Sequence, residues 1–267
     1  MEDVLQYEGK RVVVTGSASG MGAAAAQILT ELGAEVIGLD VQATEANVKE
    51  SIQVDLRDQA SIDAAVEQIG GPVDSVFSVA GLPGDPFSDL DTMLVNVFGA
   101  RHLIESLVPV IPAGGSVVCV ASNAGLGWED KLDRLLPPVQ TPDFAAGKAW
   151  CEENPKAILG GYGPSKEMSN AWVAWRAPSM LEEHGIRLNL INPGPTQTAM
   201  MGKFEDQVGA AMIDAFVGPG GRRSSSEEQA WAMVFLNSPR SSFVAGEAFH
   251  VDAGFRAAMV TDQLKIG

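Results

Sequence analysis

Residues 10–22 read Lys10-Arg11-Val12-Val13-Val14-Thr15-Gly16-Ser17-Ala18-Ser19-Gly20-Met21-Gly22. The β-branched run predicts a strand over Lys10 to Thr15, and the Ala-rich stretch Met21 to Leu32 predicts a helix. The glycines between them let the main chain turn tightly and approach a ligand. The helix start offers unpaired N–H groups and a partial positive charge, which suits a pyrophosphate. Alone, such a cluster is equally a mere turn; its place between a strand and a helix makes it informative.

The next strand, Glu35 to Asp40, ends on a carboxylate 24 residues after Gly16. An acid there accepts hydrogen bonds from both ribose hydroxyls of NAD and repels the 2′-phosphate of NADP. No Arg or Lys lies between Thr15 and Gly22 or directly after Asp40 to neutralise that phosphate. The expected cofactor is therefore NAD(H), against the plainer reading of Asp40 as a solvated acid at a strand end.

Further strands are predicted at Ile52 to Val54, Ser75 to Val79, Ser116 to Ala121, Arg187 to Ile191 and Ala248 to Val251. Ser61 to Ile69 carries Ile62, Ala65, Val66 and Ile69 at helical spacing. Near-continuous apolar strands alternating with helices predict an α/β fold: one domain, residues 1–267, with a doubly wound (Rossmann) parallel sheet and helices on both faces. Two segments interrupt the rhythm. Residues 124–161 hold Pro137, Pro138, Pro142 and Pro155 and are too long for an ordinary connection. They read equally as a lid and as a packing or subunit contact. Residues 195–226 follow a strand end and read as a substrate lid. Their apolar set, Met200, Met201, Phe204, Met212 and Phe216, suits a helix packed on the core or an adaptable wall for a bulky substrate.

The chain has 267 residues, 46% of them hydrophobic and 19% charged, which is ordinary globular usage. With 18 Lys and Arg against 34 Asp and Glu, its net charge is −16. That acidity argues against nucleic acid and anionic membrane surfaces as partners. No apolar run approaches the ~20 residues that span a bilayer. Residues 1–10 lack the basic, then apolar, pattern of a secretory signal. Cys119 and Cys151 make no CxxC motif and fit a reducing compartment, so a cytoplasmic setting is expected. His102, His184 and His250 show no metal-ligand spacing, and no metal is expected. Neither a GxSxG elbow nor a GxxxxGK[ST] loop is present, which disfavours serine hydrolysis and phosphoryl transfer.

Tyr162-Gly163-Pro164-Ser165-Lys166 places a phenol and an amine four residues apart, on one helix face. Pro164 is tolerated only in a first turn, so Tyr162 lies at or just before the helix start. A phenol of pKa ~10 is a poor base near neutrality, and an ammonium one turn away is expected to lower that value. Ser122, at a carboxyl strand end, could donate to the oxygen that changes between alcohol and carbonyl.

The order TGxxSGxG, Asp40, Asp55, Ala80-Gly81, Asn96, Ser122, Tyr162-xxx-Lys166 and Pro193-Gly194 resembles the short-chain dehydrogenase/reductase family along nearly the whole chain. The resemblance implies that Tyr162 is the general acid/base, that Ser122 orients the substrate oxygen, and that Lys166 binds the nicotinamide ribose while acidifying Tyr162. Asn96 would hold a water in a proton relay. Gly16, Ser19, Gly20, Met21, Gly22 and Asp40 would bind the dinucleotide, Asp55 and Leu56 the adenine. Ala80, Gly81, Tyr162, Lys166, Pro193, Thr196 and Thr198 complete the expected cofactor contacts.

Three departures stand out. The family's Asn-Asn-Ala-Gly is Ser78-Val79-Ala80-Gly81 here, so its adenine-side asparagine bond is in doubt. Pro178 predicts a kink or break in the Tyr–Lys helix. The 40-residue step from Ser122 to Tyr162 is long for the family and is similar to that of bacterial 3α-hydroxysteroid dehydrogenase/carbonyl reductases and coniferyl-alcohol dehydrogenases. The expected function is thus an NAD-dependent oxidoreductase interconverting hydroxyl and carbonyl on a small, hydrophobic but bulky substrate. A 3α-hydroxysteroid type leads, with a coniferyl-type aromatic alcohol as the alternative. From other classes come a catalytically silent NAD-sensing regulator and an epimerase or dehydratase using NAD transiently. A homo-oligomer is expected, a dimer if the insertion remodels the family's helix contact.

Overall fold

The computed structural model describes residues 4–44 and 46–264, with side chains at all of these but 207 and 208. Among the described residues seven strands form one sheet: β1 (Arg11–Thr15), β2 (Glu35–Asp40), β3 (Glu50–Gln53), β4 (Ser75–Ser78), β5 (Ser116–Val120), β6 (Arg187–Pro193) and β7 (Ala248–Val251). Their order is β3-β2-β1-β4-β5-β6-β7, and every neighbouring pair is parallel. The chain therefore reverses its direction of travel between β1 and β4. The carboxyl ends of those two strands frame a crevice, the place where open α/β sheets bind ligands.

The alternation of side chains along each strand divides the core into two layers. Val13, Val76, Val117 and Leu188 enter one, with α2 (Gln59–Ile69), α4 (Ala100–Leu107) and α7 (Tyr162–His184) packed against them. Val12, Val14, Phe77, Val118 and Ile191 enter the other, against α1 (Gly20–Glu31) and α10 (Ser226–Asn237). A fully buried Val, Leu or Phe contributes about 1.5–3 kcal/mol relative to exposure, so both faces of the sheet hold it.

A short helix α3 (Asp89–Met93) runs into α4 through a π-helical turn, Leu94–Gly99, on which Asn96 sits. The stretch Asp89–Val110 is long and apolar enough to cross a membrane by length and composition, with mean hydropathy 1.2 over an 18-residue window, but 67% of that window is buried inside the fold. This departs from the expectation that no such run exists; the stretch is apolar because it is a core helix.

Residues 124–161 are ordered as α5 (Leu132–Val139) and α6 (Phe144–Glu153). Leu135, Val139, Phe144, Cys151 and Ile158 are buried in the larger core layer. Arg101 on α4 donates to the carbonyls of Val139 (3.0 Å) and Asp143 (2.7 Å). A methyl at Gly147 would collide with the Phe98 ring, so that glycine sets how closely α6 seats. The segment 195–226 carries α8 (Ala199–Val208) and α9 (Ala210–Asp214), and α11 (Phe255–Val260) follows β7.

Most elements lie within two residues of where periodicity puts them. Pro178 does not break the Tyr–Lys helix: α7 is helical from Tyr162 to His184. Its buried face, including Met168, Ala171, Trp172, Val173 and Ala177, is packed well enough to offset one missing N–H. Trp172 is buried while Trp175, three residues on, is exposed.

Candidate active site

A cleft of about 410 Å³ opens at the carboxyl ends of β1 and β4. The glycine loop forms its floor, and three of its geometries need glycine. Gly16 has φ +69° and a methyl there would stand 2.9 Å from Ala80 Cα; a methyl at Gly22 would strike the Gly16 carbonyl; Gly20 has φ +56°. Ser19 occupies the N-cap of α1 without a side-chain capping bond, and the first turn carries no acid, so the helix start is open to an anion. Asp40 is held by two main-chain donors, Ala18 N–H to Oδ2 (3.1 Å) and Gln42 N–H to Oδ1 (3.0 Å). Each oxygen keeps acceptor capacity toward the cleft. Asp55 is gripped by Arg57, which holds its carboxyl below the usual range. These residues fit a dinucleotide: a glycine cradle for the pyrophosphate, an acid for ribose hydroxyls and a rim at Asp55-Leu56 for the base.

Tyr162 stands beside the cleft, against Phe204 of α8. α7 begins at Tyr162, as Pro164 in its first turn requires. The Ser122 side chain lies close enough to the Tyr162 phenol to favour its charged form. Ser122 follows β5 in an extended conformation; its N–H donates to Asn192 Oδ1 (3.1 Å) and its Oγ accepts from Ala124 N–H (3.1 Å). Lys166 is buried and donates to the Val120 carbonyl (3.1 Å). A methyl at Gly81 would lie 3.7 Å from Lys166 Nζ and 3.2 Å from Asn96 Oδ1, so Gly81 joins the cleft to these side chains.

The electrostatics differ from the expectation that Lys166 acidifies Tyr162. Burial pushes the phenol above its ordinary value, and the Ser122 side chain is what pulls it back. Burial likewise depresses Lys166 to about 8. Desolvation penalises the charged form of both groups, and here it outweighs their mutual proximity.

Asn96 has its side chain occupied: Oδ1 accepts from Leu82 N–H (2.7 Å), and Nδ2 donates to Leu82 O (3.0 Å) and Ser165 Oγ (2.9 Å). A water at this residue can use its main-chain carbonyl, which accepts from Ser169 Oγ (3.2 Å) and, like Oδ1, has a second lone pair. The missing family asparagine is replaced in one respect. Thr15 Oγ1 accepts from the N–H groups of Val79 (2.9 Å) and Ala80 (3.0 Å), tying the end of β4 to β1.

Gly16, Ser19, Gly20, Met21, Gly22, Asp40, Asp55, Leu56, Ala80, Gly81 and Thr198 all line the cleft. Pro193, Thr196, Tyr162 and Lys166 do not, although Lys166 reaches Gly81 on the lining. Pro193 is in register with Val251 at the end of β6, and buried Thr196 spends its hydroxyl on Gly194 O and Ser224 Oγ, both 2.9 Å away. The cleft also has walls that no motif supplies, Phe87 and Lys203, and Met200 of the apolar set in segment 195–226 joins them. Phe204 packs edge-on against Tyr162, ring centres 4.8 Å apart. Asn170 and Asn192 exchange amide hydrogen bonds behind Ser122. An asparagine in a strand as apolar as β6 was an available signal.

Comparison with known proteins agrees with this geometry. Residues 10–130 match the family model for short chain dehydrogenases, and residues 154–256 match one described as enoyl-(acyl carrier protein) reductase. The chain is 30% identical to a coniferyl-alcohol dehydrogenase of Pseudomonas sp. (strain HR199 / DSM 7063), over 96% of this chain and 100% of that protein. It is also 30% identical to the 3-alpha-hydroxysteroid dehydrogenase/carbonyl reductase of Comamonas testosteroni, over 93% and 97%. Among solved structures, the 3-alpha-hydroxysteroid dehydrogenase of Pseudomonas sp. B-0831 complexed with NADH superposes with a TM-score of 0.79 at 28% identity, covering 94% of this chain and 99% of that one.

Proposed function

The chain belongs to the short-chain dehydrogenase/reductase family, oxidoreductases that act on alcohol and carbonyl groups with a nicotinamide cofactor, and from that premise we propose that it is an NAD-dependent dehydrogenase of a bulky hydrophobic secondary alcohol, of the 3α-hydroxysteroid type. The observation that carries the reading is the juxtaposition of Tyr162 and Ser122, with Lys166 beside Gly81, which lines the cleft. Asp40, without a neighbouring cation in the loop, supports NAD over NADP.

A nicotinamide nucleotide held by the glycine cradle, Asp40 and Asp55 would supply the hydride acceptor. In the oxidation direction Tyr162 as phenolate takes the hydroxyl proton while Ser122 holds the same oxygen. Lys166, with a pKa near 8, can pass a proton toward a water on the Asn96 carbonyl. In reduction the protonated phenol donates to the carbonyl oxygen. General acid–base work of this kind contributes on the order of 10²–10⁴ in rate.

Segment 195–226 acts in this reading as the substrate lid, because α8 brings Met200 to the cleft and Phe204 onto Tyr162. Residues 124–161 cover part of α7, where Glu167 pairs with Lys131 and Arg134, which supports a dimer over a tetramer built on that helix. NADH absorbance during turnover of steroid alcohols against phenylpropanoid alcohols tests the reading. Turnover of coniferyl-type alcohols alone moves the substrate to the aromatic class; cofactor retained through purification without net NADH release points to an epimerase. No turnover with any alcohol or ketone removes the enzymatic proposal.

A further inference from the structure

We infer that Lys203 is a cofactor-binding residue: carried on α8 across the mouth of the cleft, its ammonium pairs with the phosphate charge of the dinucleotide. The inference rests on the reading of the cleft as a dinucleotide site and adds a residue that no motif supplies.

The first support is the distribution of charge. Among the described residues lining the cleft, the ionisable groups are Asp40, Asp55, Arg57 and Lys203. Arg57 is committed to Asp55 through Nε (2.9 Å) and Nη2 (2.6 Å). Among the described residues Lys203 is in no ion pair, and it is exposed. The wall thus carries two carboxylates, one neutralised cation and one uncommitted cation, on a protein of net charge −16. A ligand whose pyrophosphate bears two negative charges meets a repulsive background, and Lys203 is the compensating group placed at the opening.

The second support is position. Lys203 Nζ stands 5.4 Å from the centre of the Phe87 ring, which lies on the β4–α3 connection and also lines the cleft. The face of the ring attracts the ammonium and holds it over the opening. Thr198 caps α8 with its Oγ1 accepting from Met201 N–H (3.1 Å), and its methyl would lie 3.5 Å from a Cβ at Gly20. The helix is thereby anchored beside the glycine loop, the cradle for the pyrophosphate. The next residue, Phe204, is turned about 100° around α8 and meets Tyr162 instead. One helix therefore addresses the nucleotide with Lys203 and the reacting end with Phe204. An ammonium serves as a point-charge phosphate partner without needing a fixed fork geometry.

The test is binding of NADH, ADP-ribose and adenosine to wild type, Lys203→Met and Lys203→Arg, by protein fluorescence at low and high salt. Lys203→Met should weaken NADH and ADP-ribose alike, about three- to fivefold at low salt, in the range of an exposed ion pair. The ratio should shrink as salt rises, adenosine should bind unchanged, and Lys203→Arg should stay near wild type. Unchanged NADH and ADP-ribose binding in Lys203→Met overturns the inference, as does a change confined to substrate KM, which would assign the cation to the substrate. Wild type that fails to bind NADH overturns the dinucleotide reading itself, a different result from wild type and Lys203→Met binding it equally.

Discussion

The ammonium of Lys166 stands 5.3 Å from the centre of the Tyr162 ring, over its face, and donates to the Val120 carbonyl at 3.1 Å. The Ser122 side chain, not Lys166, is what lowers a phenol pKa that burial raises. The serine therefore has two tasks, orienting the substrate oxygen and stabilising the phenolate.

Oxidation needs the phenolate and reduction the phenol. With the Tyr162 pKa raised, alcohol oxidation should climb toward alkaline pH while carbonyl reduction is favoured near neutrality. Tyr162→Phe should lose about 10²–10⁴ in kcat in both directions while NADH affinity stays within about twofold. Ser122→Ala should lower kcat and move the rise of oxidation to higher pH, since it removes the interaction that favours the charged phenol. Retained turnover in Tyr162→Phe, measured by NADH absorbance, would remove the tyrosine from the mechanism.

Lys166 is a stability cost maintained for function. Its pKa is about 8 in the folded chain against 10.5 ordinarily, because burial disfavours the ammonium. Between those values the unfolded chain binds more protons, so this group makes stability rise with pH from about 8 to about 10.5; below 8 the penalty is present in full. At 1.36 kcal/mol per unit the penalty is about 3 kcal/mol at pH 7. Lys166→Met should be inactive yet more stable at pH 7, by about 2 kcal/mol once the lost bond to Val120 is counted. Urea midpoints from pH 7 to 10.5 check it: the gap between variant and wild type should close with rising pH, and a constant gap would contradict the assignment.

What could be read from the chain was whatever a local rule controls. Val12, Val13 and Val14 announce a strand, and their division between two core layers follows from pleating alone. The glycine loop and Asp40 are legible because steric and charge requirements restrict those positions to few residue types. Lys203 and Phe204 gave no such signal, since their directions depend on where α8 docks. Thr196 is a polar residue in a motif segment, yet its hydroxyl serves the loop's own fold. Pro178 obeys a local rule that the burial of α7 overrides. Sequence spacing shows the cation near Tyr162 and conceals the desolvation that raises its phenol.

Asp40 permits a test of cofactor choice in which charge is separated from loop structure. Its Oδ2 and Oδ1 accept from Ala18 and Gln42 N–H groups, so removing the side chain also orphans two donors. Asp40→Asn retains an acceptor and deletes the charge. Both Asp40→Asn and Asp40→Ala should relax the NADH over NADPH preference in kcat/KM by about tenfold or more, equivalent to about 1.4 kcal/mol. Asp40→Ala alone should also lose about 1 kcal/mol of stability for the unpaired amides. Wild type faster with NADPH than with NADH would contradict the reading of this carboxylate.

Behind Ser122 lies the Asn170–Asn192 pair, which links the serine to the Tyr–Lys helix. Asn192 Oδ1 accepts from Ser122 N–H (3.1 Å) and Asn170 Nδ2 (3.2 Å), and its Nδ2 donates to Asn170 Oδ1 (2.9 Å). Asn170 Nδ2 also donates to the Lys166 carbonyl (2.8 Å), so one buried network joins Ser122 to the helix that carries Tyr162 and Lys166. Asn192→Ala leaves the Ser122 amide and Asn170 Oδ1 without the partners Asn192 gives them, a cost of about 1–3 kcal/mol in stability. Because displacement of a positioned group by about 1 Å can cost 10²-fold, kcat should fall about 10- to 100-fold with little change in NADH affinity. Asn170→Ala should fall less, and the double variant should show coupling of about 1 kcal/mol or more in kcat, since the two amides act through each other. If Asn192→Ala folds less stably but turns over at the wild-type rate, the pair holds the fold together without positioning Ser122.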